Sequence, residues 1–303
     1  MPCYNPIDAW YSRDVNPSGK RSLVFKPNYS DRNKPELQIS CGQCIGCRLE
    51  YSRQWAIRIM HESQLHMHNC FLTLTYSDEN IPAFGSLDKT DLQKFWKRLR
   101  KDHTGKKIRY FACGEYGEES DRPHYHACCF NFMPSDLVRI KGRGDNTLYL
   151  SPYIESVWKK GNISVGHLTF ESAAYVARYV TKKVTGERAE SHYSRYDEAS
   201  DSTVSITPEF AAMSRRPGIA SAWYERHGGE VYPRDEIIVR SKSVKPPRFY
   251  DTRLAEFDLQ LHQEIKERRK VLMDKHRDNN TWERLKVREK VARAKLALKK
   301  GEI

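Results

Sequence analysis

The stretch Arg122-Pro123-His124-Tyr125-His126-Ala127-Cys128-Cys129-Phe130 carries two imidazoles in a short apolar run. Such a run, opened by proline, is expected to be a buried strand. Successive strand side chains point to opposite faces, so His124 and His126 emerge together while Tyr125 points away. Two imidazoles so placed can reach one divalent cation, or can be hydrogen-bonded histidines near a sheet edge. Glu115 lies shortly upstream, and a carboxylate completing two imidazoles suits Mg2+ or Mn2+ better than structural zinc. Glu118 and Glu119 compete for that role; Glu115 is preferred because it sits closest to the preceding strand.

Farther on, Tyr175 and Tyr179 are spaced so that a helix would carry both hydroxyls on one face, a turn apart. In isolation such residues are ordinary core aromatics. Here Val176, Ala177 and Val180 can supply an apolar face of their own, and Arg178, Lys182 and Lys183 lie beside the phenols. A tyrosine hydroxyl, with a pKa near ~10, can attack a DNA phosphate and become covalently attached. The metal would polarise a nonbridging phosphate oxygen. Lys182 would stabilise charge developing at phosphorus, with Arg178 and Lys183 as DNA contacts. A phosphotyrosine diester conserves the energy of the broken bond, so rejoining needs no nucleotide cofactor, and no Gly-x-x-x-x-Gly-Lys-Ser/Thr loop is present.

A second constellation is Cys41-Gly42-Gln43-Cys44-Ile45-Gly46-Cys47. Overlapping Cys-x-x-Cys spacings with glycine between them suit a structural Zn2+, and Cys3 is the candidate fourth ligand. Redox chemistry or plain buried thiols are the competing readings.

The elements that must position these groups follow from patterning. Residues 1–40 read as irregular apart from one strand at Ser22–Phe25. Arg48–Met67 reads as a helix with Trp55, Ile57 and Ile59 inward and Arg48, Arg53 and Arg58 outward. Phe71–Tyr76 alternates as a strand. Thr90-x-x-Gln93 resembles a capping box opening a helix with Leu92, Phe95, Trp96 and Leu99 on one stripe. Ile108–Cys113 reads as a strand running into a turn at Gly114–Gly117, and the short connection to the His-x-His strand predicts antiparallel neighbours. Tyr153–Trp158 reads as a helix and Ile163–Leu168 as a strand. Ser172–Lys183 reads as the tyrosine helix, opened by Thr169-Phe170-Glu171.

Across 303 residues, Lys plus Arg is 52 against 39 Asp plus Glu, a net charge of +13. With many aromatics, that excess points to nucleic acid, or to solubility alone. No membrane-length apolar run or signal peptide is present, so the expectation is a soluble intracellular protein whose eight cysteines are reduced thiols or metal ligands.

These motifs resemble the HUH endonuclease superfamily. His124-Tyr125-His126 looks like its metal motif and Phe71–Thr75 like its hydrophobic first motif. Tyr175–Lys182 looks like the two-tyrosine motif of initiators from small isometric single-stranded DNA phages. Cys41–Cys47, Gly114–Gly117, Arg122–Ala127 and Phe170–Tyr179 together are similar to replication initiators of gokushovirus-type microviruses, over roughly residues 1–185. Arg178 departs from a related motif that has Lys there, although both are cationic. The resemblance implies rolling-circle initiation in the cytoplasm of a bacterial host. The protein would nick the double-stranded replicative form and remain on the 5′ end, while a host DNA polymerase extends the 3′ hydroxyl. The second tyrosine would end the round, and a host helicase would open the duplex. A metal strand preceding the tyrosine helix is the initiator order, whereas relaxases put the tyrosine near the N-terminus. A transposase of the same superfamily, or a noncatalytic zinc-containing nucleic-acid-binding protein, are the alternatives.

Residues 186–250 interleave aromatics with Arg215-Arg216-Pro217-Gly218, suiting unpaired bases or an ordinary loop-rich extension. Pro246-Pro247 looks like a boundary. Beyond it a charged helical segment carries an interrupted stripe of Leu254, Phe257, Leu261, Ile265 and Leu272, continued by Trp282, Leu285 and Val291. From His262 onward, 14 Lys or Arg stand against seven Asp or Glu. The expected fold is α+β: a central antiparallel sheet carrying His-x-His, flanked by helices, with a Cys-rich N-terminal segment and a helical C-terminal extension. The expected domains are 1–66 (Cys-rich segment), 67–185 (nuclease) and 186–303 (basic, aromatic, helical extension).

Overall fold

The computed structural model describes residues 3–300 apart from 18, 31–34, 118, 119, 180–182, 185 and 233; at 179, 299 and 300 it describes the backbone alone. The chain divides into two compact units, one of residues 1–51 with 263–303 and the other of residues 52–262.

In the first unit, β1 (Ile7–Val15) pairs antiparallel with β2 (Arg21–Val24) and with β3 (Leu37–Ile39). The N-terminal segment is therefore more regular than expected. β2 and β3 are short and β1 carries Asp8, Ser12, Arg13 and Asp14, so apolar alternation is too weak for them to be recognised singly. The helix α1 (Ile45–Ser63) begins in this unit and ends in the other.

The second unit is built on β4 (Asn69–Thr75), α2 (Lys89–Asp102), β5 (Arg109–Tyr116), β6 (Pro123–Phe130), β7 (Val138–Lys141), β8 (Leu148–Leu150), α3 (Pro152–Trp158) and β9 (Ile163–Gly166). It continues through α4 (Phe170–Tyr179), α5 (Arg188–His192), the hairpin β10 (Ser194–Asp197) with β11 (Ser202–Ser205), and β12 (Phe210–Met213). After α6 (Ser221–Val231) come the hairpin β13 (Ile237–Val239) with β14 (Lys242–Val244) and α7 (Arg248–Phe257). Seven strands form one antiparallel sheet in the order β12-β5-β6-β4-β9-β8-β7. The fold is α+β, as expected, with the His-x-His strand near the middle of the sheet.

Both faces of the central strands are covered, so β6 reads as continuously apolar. On one face Tyr125, Ala127 and Cys129 pack with Leu92, Phe95, Trp96 and Leu99 of α2 and with Ile154 and Trp158 of α3. The α2 stripe is as expected, but its cap is Asp88, whose side chain accepts from the Thr90 amide. Thr90 itself lies inside the first turn. The opposite face meets α4 and the unit's part of α1: Trp55 packs on Phe111, and Ser52 Oγ donates to the Ala174 carbonyl.

Other expectations need correction. Arg58 does not face solvent; its guanidinium lies 4.0 Å from the Trp55 ring and 3.9 Å from Phe249 and donates twice to the Ile219 carbonyl. Arg53 likewise donates to the Lys245 carbonyl. Gly114-Glu115-Tyr116 is not a turn but the end of β5. Gly114 is needed because Phe210 of β12 closes on it, with a ring carbon 2.8 Å from where a Cβ would stand. Residues 186–250 are not merely loop-rich, since they supply that edge strand. The tyrosine helix spans Phe170–Tyr179, and Lys183 lies outside it.

The chain ends in α8 (Leu259–Asp274), spanning the junction between units, and α9 (Trp282–Lys300) in the first. Of the expected stripe, Leu254, Ile265 and Leu285 are buried while Phe257, Leu272, Trp282 and Val291 are exposed. Heavily charged helices interrupt an apolar stripe too often for periodicity to say which members pack. No helix among the described residues is long and apolar enough to cross a membrane.

Candidate metal and tyrosine site

Strand pairing assembles the first cluster. In the β5–β6 ladder Glu115 stands opposite His124 and Cys113 opposite His126, so Glu115 projects on the histidine face. Its Oε1 is 2.7 Å from His124 Nε2 and 3.0 Å from His126 Nε2. One ligand atom from each residue lies within 4.8 Å of the other two. Glu118 and Glu119, the competing carboxylates, lie outside the described residues.

The other ring nitrogens are held from behind. His124 Nδ1 lies 3.0 Å from the Arg122 carbonyl, which only accepts, so we assign the proton to Nδ1. His126 Nδ1 lies 3.0 Å from Thr73 Oγ1, and Phe71 stacks on the same ring. In that tautomer His124 turns its Nε2 lone pair toward the Glu115 oxygen, whereas the Thr73 hydroxyl can donate or accept and leaves either tautomer open to His126. Lone pairs facing one another so closely call for a shared proton or a shared cation. Glu115 is buried, and its Oε2 has no hydrogen-bond partner among the described residues. Burial alone would raise this carboxyl, but the two imidazoles outweigh it and hold its pKa below the ordinary value. An anionic, partly unsatisfied carboxylate between two imidazoles fits a divalent cation with N/O ligands.

The helix α4 brings a phenol to this cluster. Thr169 and Ser172 cap it reciprocally: Thr169 Oγ1 accepts from the Ser172 amide, and Ser172 Oγ from the Thr169 amide. Ala173, Val176 and Ala177 are fully buried, and such small side chains let the helix lie close against the sheet. Tyr175 is left half-buried, its ring edge-on to His126 at 5.1 Å between centroids. Its hydroxyl donates toward Glu115 Oε1 at 3.4 Å. Tyr179 closes the helix one turn on, but its side chain, like Val180 and Lys182, lies outside the described residues. Arg178 is exposed, 6.0 Å from the Tyr175 ring centroid, and Lys183 is exposed beyond the helix.

Sequence reasoning did not single out Thr73 or the Arg122 carbonyl. Thr73 pairs with His126 in the β4–β6 ladder. A polar residue alternating within a strand that runs alongside a His-x-His motif was the available signal.

The second cluster lies in the first unit. One sulfur from each of Cys3, Cys41, Cys44 and Cys47 falls within 4.8 Å of the others, and Cys41 and Cys47 are 3.9 Å apart. The amides of Tyr4, Cys41 and Cys44 donate to the sulfurs of Cys44, Cys3 and Cys41 at 3.3, 3.4 and 3.3 Å. Gly42 adopts φ +73°, which permits the tight turn that aims these amides. Burial raises the Cys44 thiol, but the Tyr4 amide and neighbouring donors bring its pKa down to about 7; burial pushes Cys3 and Cys47 up. Four sulfurs in a nest of donated amides fit one thiophilic cation.

Residues 69–184, containing the first cluster and α4, match the family described as replication-associated protein ORF2/G2P. The chain is 32% identical over 260 residues to replication-associated protein VP4 of Bdellovibrio phage phiMH2K, covering 82% of this chain and 76% of that protein. It is 32% identical over 243 residues to replication-associated protein ORF2 of Spiroplasma virus 4, covering 74% and 71%. Replication-associated protein ORF4 of Chlamydia phage 1 is 33% identical over 154 residues, covering 48% and 38%. The chain belongs to this family of phage replication-associated proteins, the one its cysteine, His-x-His and two-tyrosine motifs anticipated. No solved structure matches it.

Proposed function

We propose that this protein is a rolling-circle replication initiator of HUH type that nicks and rejoins single-stranded DNA at a phage origin. The observation that carries this reading is the Tyr175 hydroxyl, 3.4 Å from a carboxylate that also meets two imidazoles. A nucleophile and a set of cation ligands at one place suit phosphoryl transfer. Mg2+ or Mn2+ held by Glu115, His124 and His126 would supply polarisation of a nonbridging phosphate oxygen.

The protein's own groups do the rest. Tyr175 Oη bonds to phosphorus, the P–O3′ bond breaks, and the phenolic proton leaves to solvent. The departing 3′ oxygen takes up a proton, becoming the primer for a host polymerase. The 5′ phosphate stays on the tyrosine as a diester, so the reverse step rejoins without a nucleotide cofactor. Tyr179, a helical turn away, provides the second nucleophile that closes the unit-length strand. Arg178, Lys182 and Lys183 hold the phosphates of the single strand and of the viral replicative form. Cys3, Cys41, Cys44 and Cys47 would hold a Zn2+ that fixes the fold of their segment. The reading places the protein in the bacterial cytoplasm beside a host helicase, with residues 67–185 as the nuclease part, 1–66 as its zinc-bearing lead and 186–303 as an extension.

The test is a denaturation-resistant adduct formed on single-stranded DNA with Mn2+. It should vanish in Tyr175→Phe/Tyr179→Phe and in His124→Ala. An adduct surviving in the double variant would refute these nucleophiles; no adduct with any divalent metal would leave a noncatalytic binding protein.

A further inference from the structure

A groove of about 420 Å³ opens at the end of β5 away from Glu115. It lies between the α2–β5 connection and the segment that follows β12. Two hydrogen bonds fix that pairing: the Ser214 amide donates to the Tyr110 carbonyl at 3.0 Å, and the Tyr110 amide to Ser214 Oγ at 3.1 Å. Arg215 and Arg216 are thereby held beside Lys106 and Lys107, with Arg100 and His103 completing the wall.

The groove is lined by cations and by no carboxylate. Arg109, at its base, is already matched by Glu62, 2.5 Å away. Arg100 is held in place by two hydrogen bonds to the Ile108 carbonyl. Lys106, Lys107, Arg215 and Arg216 are exposed and make no ion pair among the described residues. Four like charges held together repel one another, and a polyanion relieves that repulsion while releasing its own counterions. No Phe, Tyr or Trp lines the groove among the described residues, and its one ring, His103, is packed edge-on against Phe132 and Tyr153, so the groove offers charge rather than a stacking platform.

We propose that this groove binds the phosphate backbone of duplex DNA flanking the nicked strand, reading no sequence. Arg109 and Glu115 stand six positions apart along β5, about 20 Å at ~3.3 Å per residue. Phosphates along one duplex strand advance ~3.4 Å each, so the contact falls about six nucleotides from the reacting phosphate. That placement rests on the nicking reading; the duplex contact itself does not.

The test uses the full chain with Lys106→Gln/Lys107→Gln/Arg215→Gln/Arg216→Gln, and a duplex of about 30 base pairs whose binding is followed against salt. Affinity near 0.15 M salt should fall roughly 100- to 1,000-fold, and the log–log salt slope should flatten by about 3.6. Arg215→Lys/Arg216→Lys should keep most of the slope, because charge rather than fork geometry is used. Adduct formation on a single-stranded oligonucleotide with only two nucleotides on either side of the reacting phosphate, too short to span about 20 Å, should change less than ~2-fold. A slope shallower by less than one, or a loss seen only with duplex RNA, would overturn the proposal. Should wild type form no adduct while the quadruple variant still loses duplex binding, the nicking reading fails and the DNA groove stands.

Discussion

Glu115 stands directly opposite His124 in the β5–β6 ladder, and its Oε1 reaches Nε2 at 2.7 Å. Had β5 ended in a turn at Gly114, this carboxylate would not share the histidine face. The residues beyond Gly114 are held extended by β6, which pairs Glu115 with His124 and Tyr116 with Pro123.

Thr73 orients His126 without being a candidate ligand. Thr73→Val keeps the volume and removes the hydrogen bond, so Mn2+ affinity should drop about 10- to 100-fold. Manganese titration followed by electron paramagnetic resonance measures this. Unaltered affinity would mean that the ring is held by packing on Phe71 alone.

Cys44 receives the Tyr4 amide and sits in the four-sulfur cluster. Purified wild type should carry one zinc there, and Cys44→Ser should lose it and melt at lower temperature. Elemental analysis of both proteins decides. Equal zinc content in the two would rule the cluster out as a zinc site.

Arg58, sandwiched by Trp55 and Phe249, bonds the Ile219 carbonyl through two nitrogens. Arg58→Ala should cost about 2 kcal/mol in urea unfolding, from lost stacking and an orphaned carbonyl. Lysine should not restore it, having neither the plane nor the fork. Full rescue by Arg58→Lys would show that charge alone matters.

His61 is buried between Trp223 and Tyr250, with Nδ1 2.7 Å from the Tyr250 hydroxyl. Burial, reinforced by nearby His227, pushes its pKa down to about 3. The unfolded imidazole titrates near ~6.5. The folded value is the lower one, so this contribution is complete above pH ~6.5 and lost as pH falls toward ~3. The slope reaches about 1.4 kcal/mol per pH unit. Denaturation at several pH values from ~6.5 to ~5, above most carboxylate titration, isolates it. His61→Phe should flatten that window, and an identical slope would show that other groups set it.

Much was readable along the chain because side-chain period is a local property. Alternation placed His124 and His126 on one face, and i, i+4 spacing placed Tyr175 and Tyr179 one turn apart on a single helix. The α2 stripe and the cysteine turn were read the same way. What local period cannot supply is pairing across distance. It missed β12, which the chain reaches only after a long excursion, and it misjudged Arg58, whose partners Ile219 and Phe249 come from segments well over a hundred residues downstream.

The sequence by itself therefore marked the candidates: which residues could hold a cation, which phenols a helix could carry, and an excess of positive charge suited to a polyanion. Tertiary structure alone decided the register that sets Glu115 against His124, the threonine behind His126, and the meeting of Arg215 and Arg216 with Lys106 and Lys107. The reason is physical. Patterning records which side of its own element a residue faces, whereas a site is made by partners that only folding brings within a few ångströms.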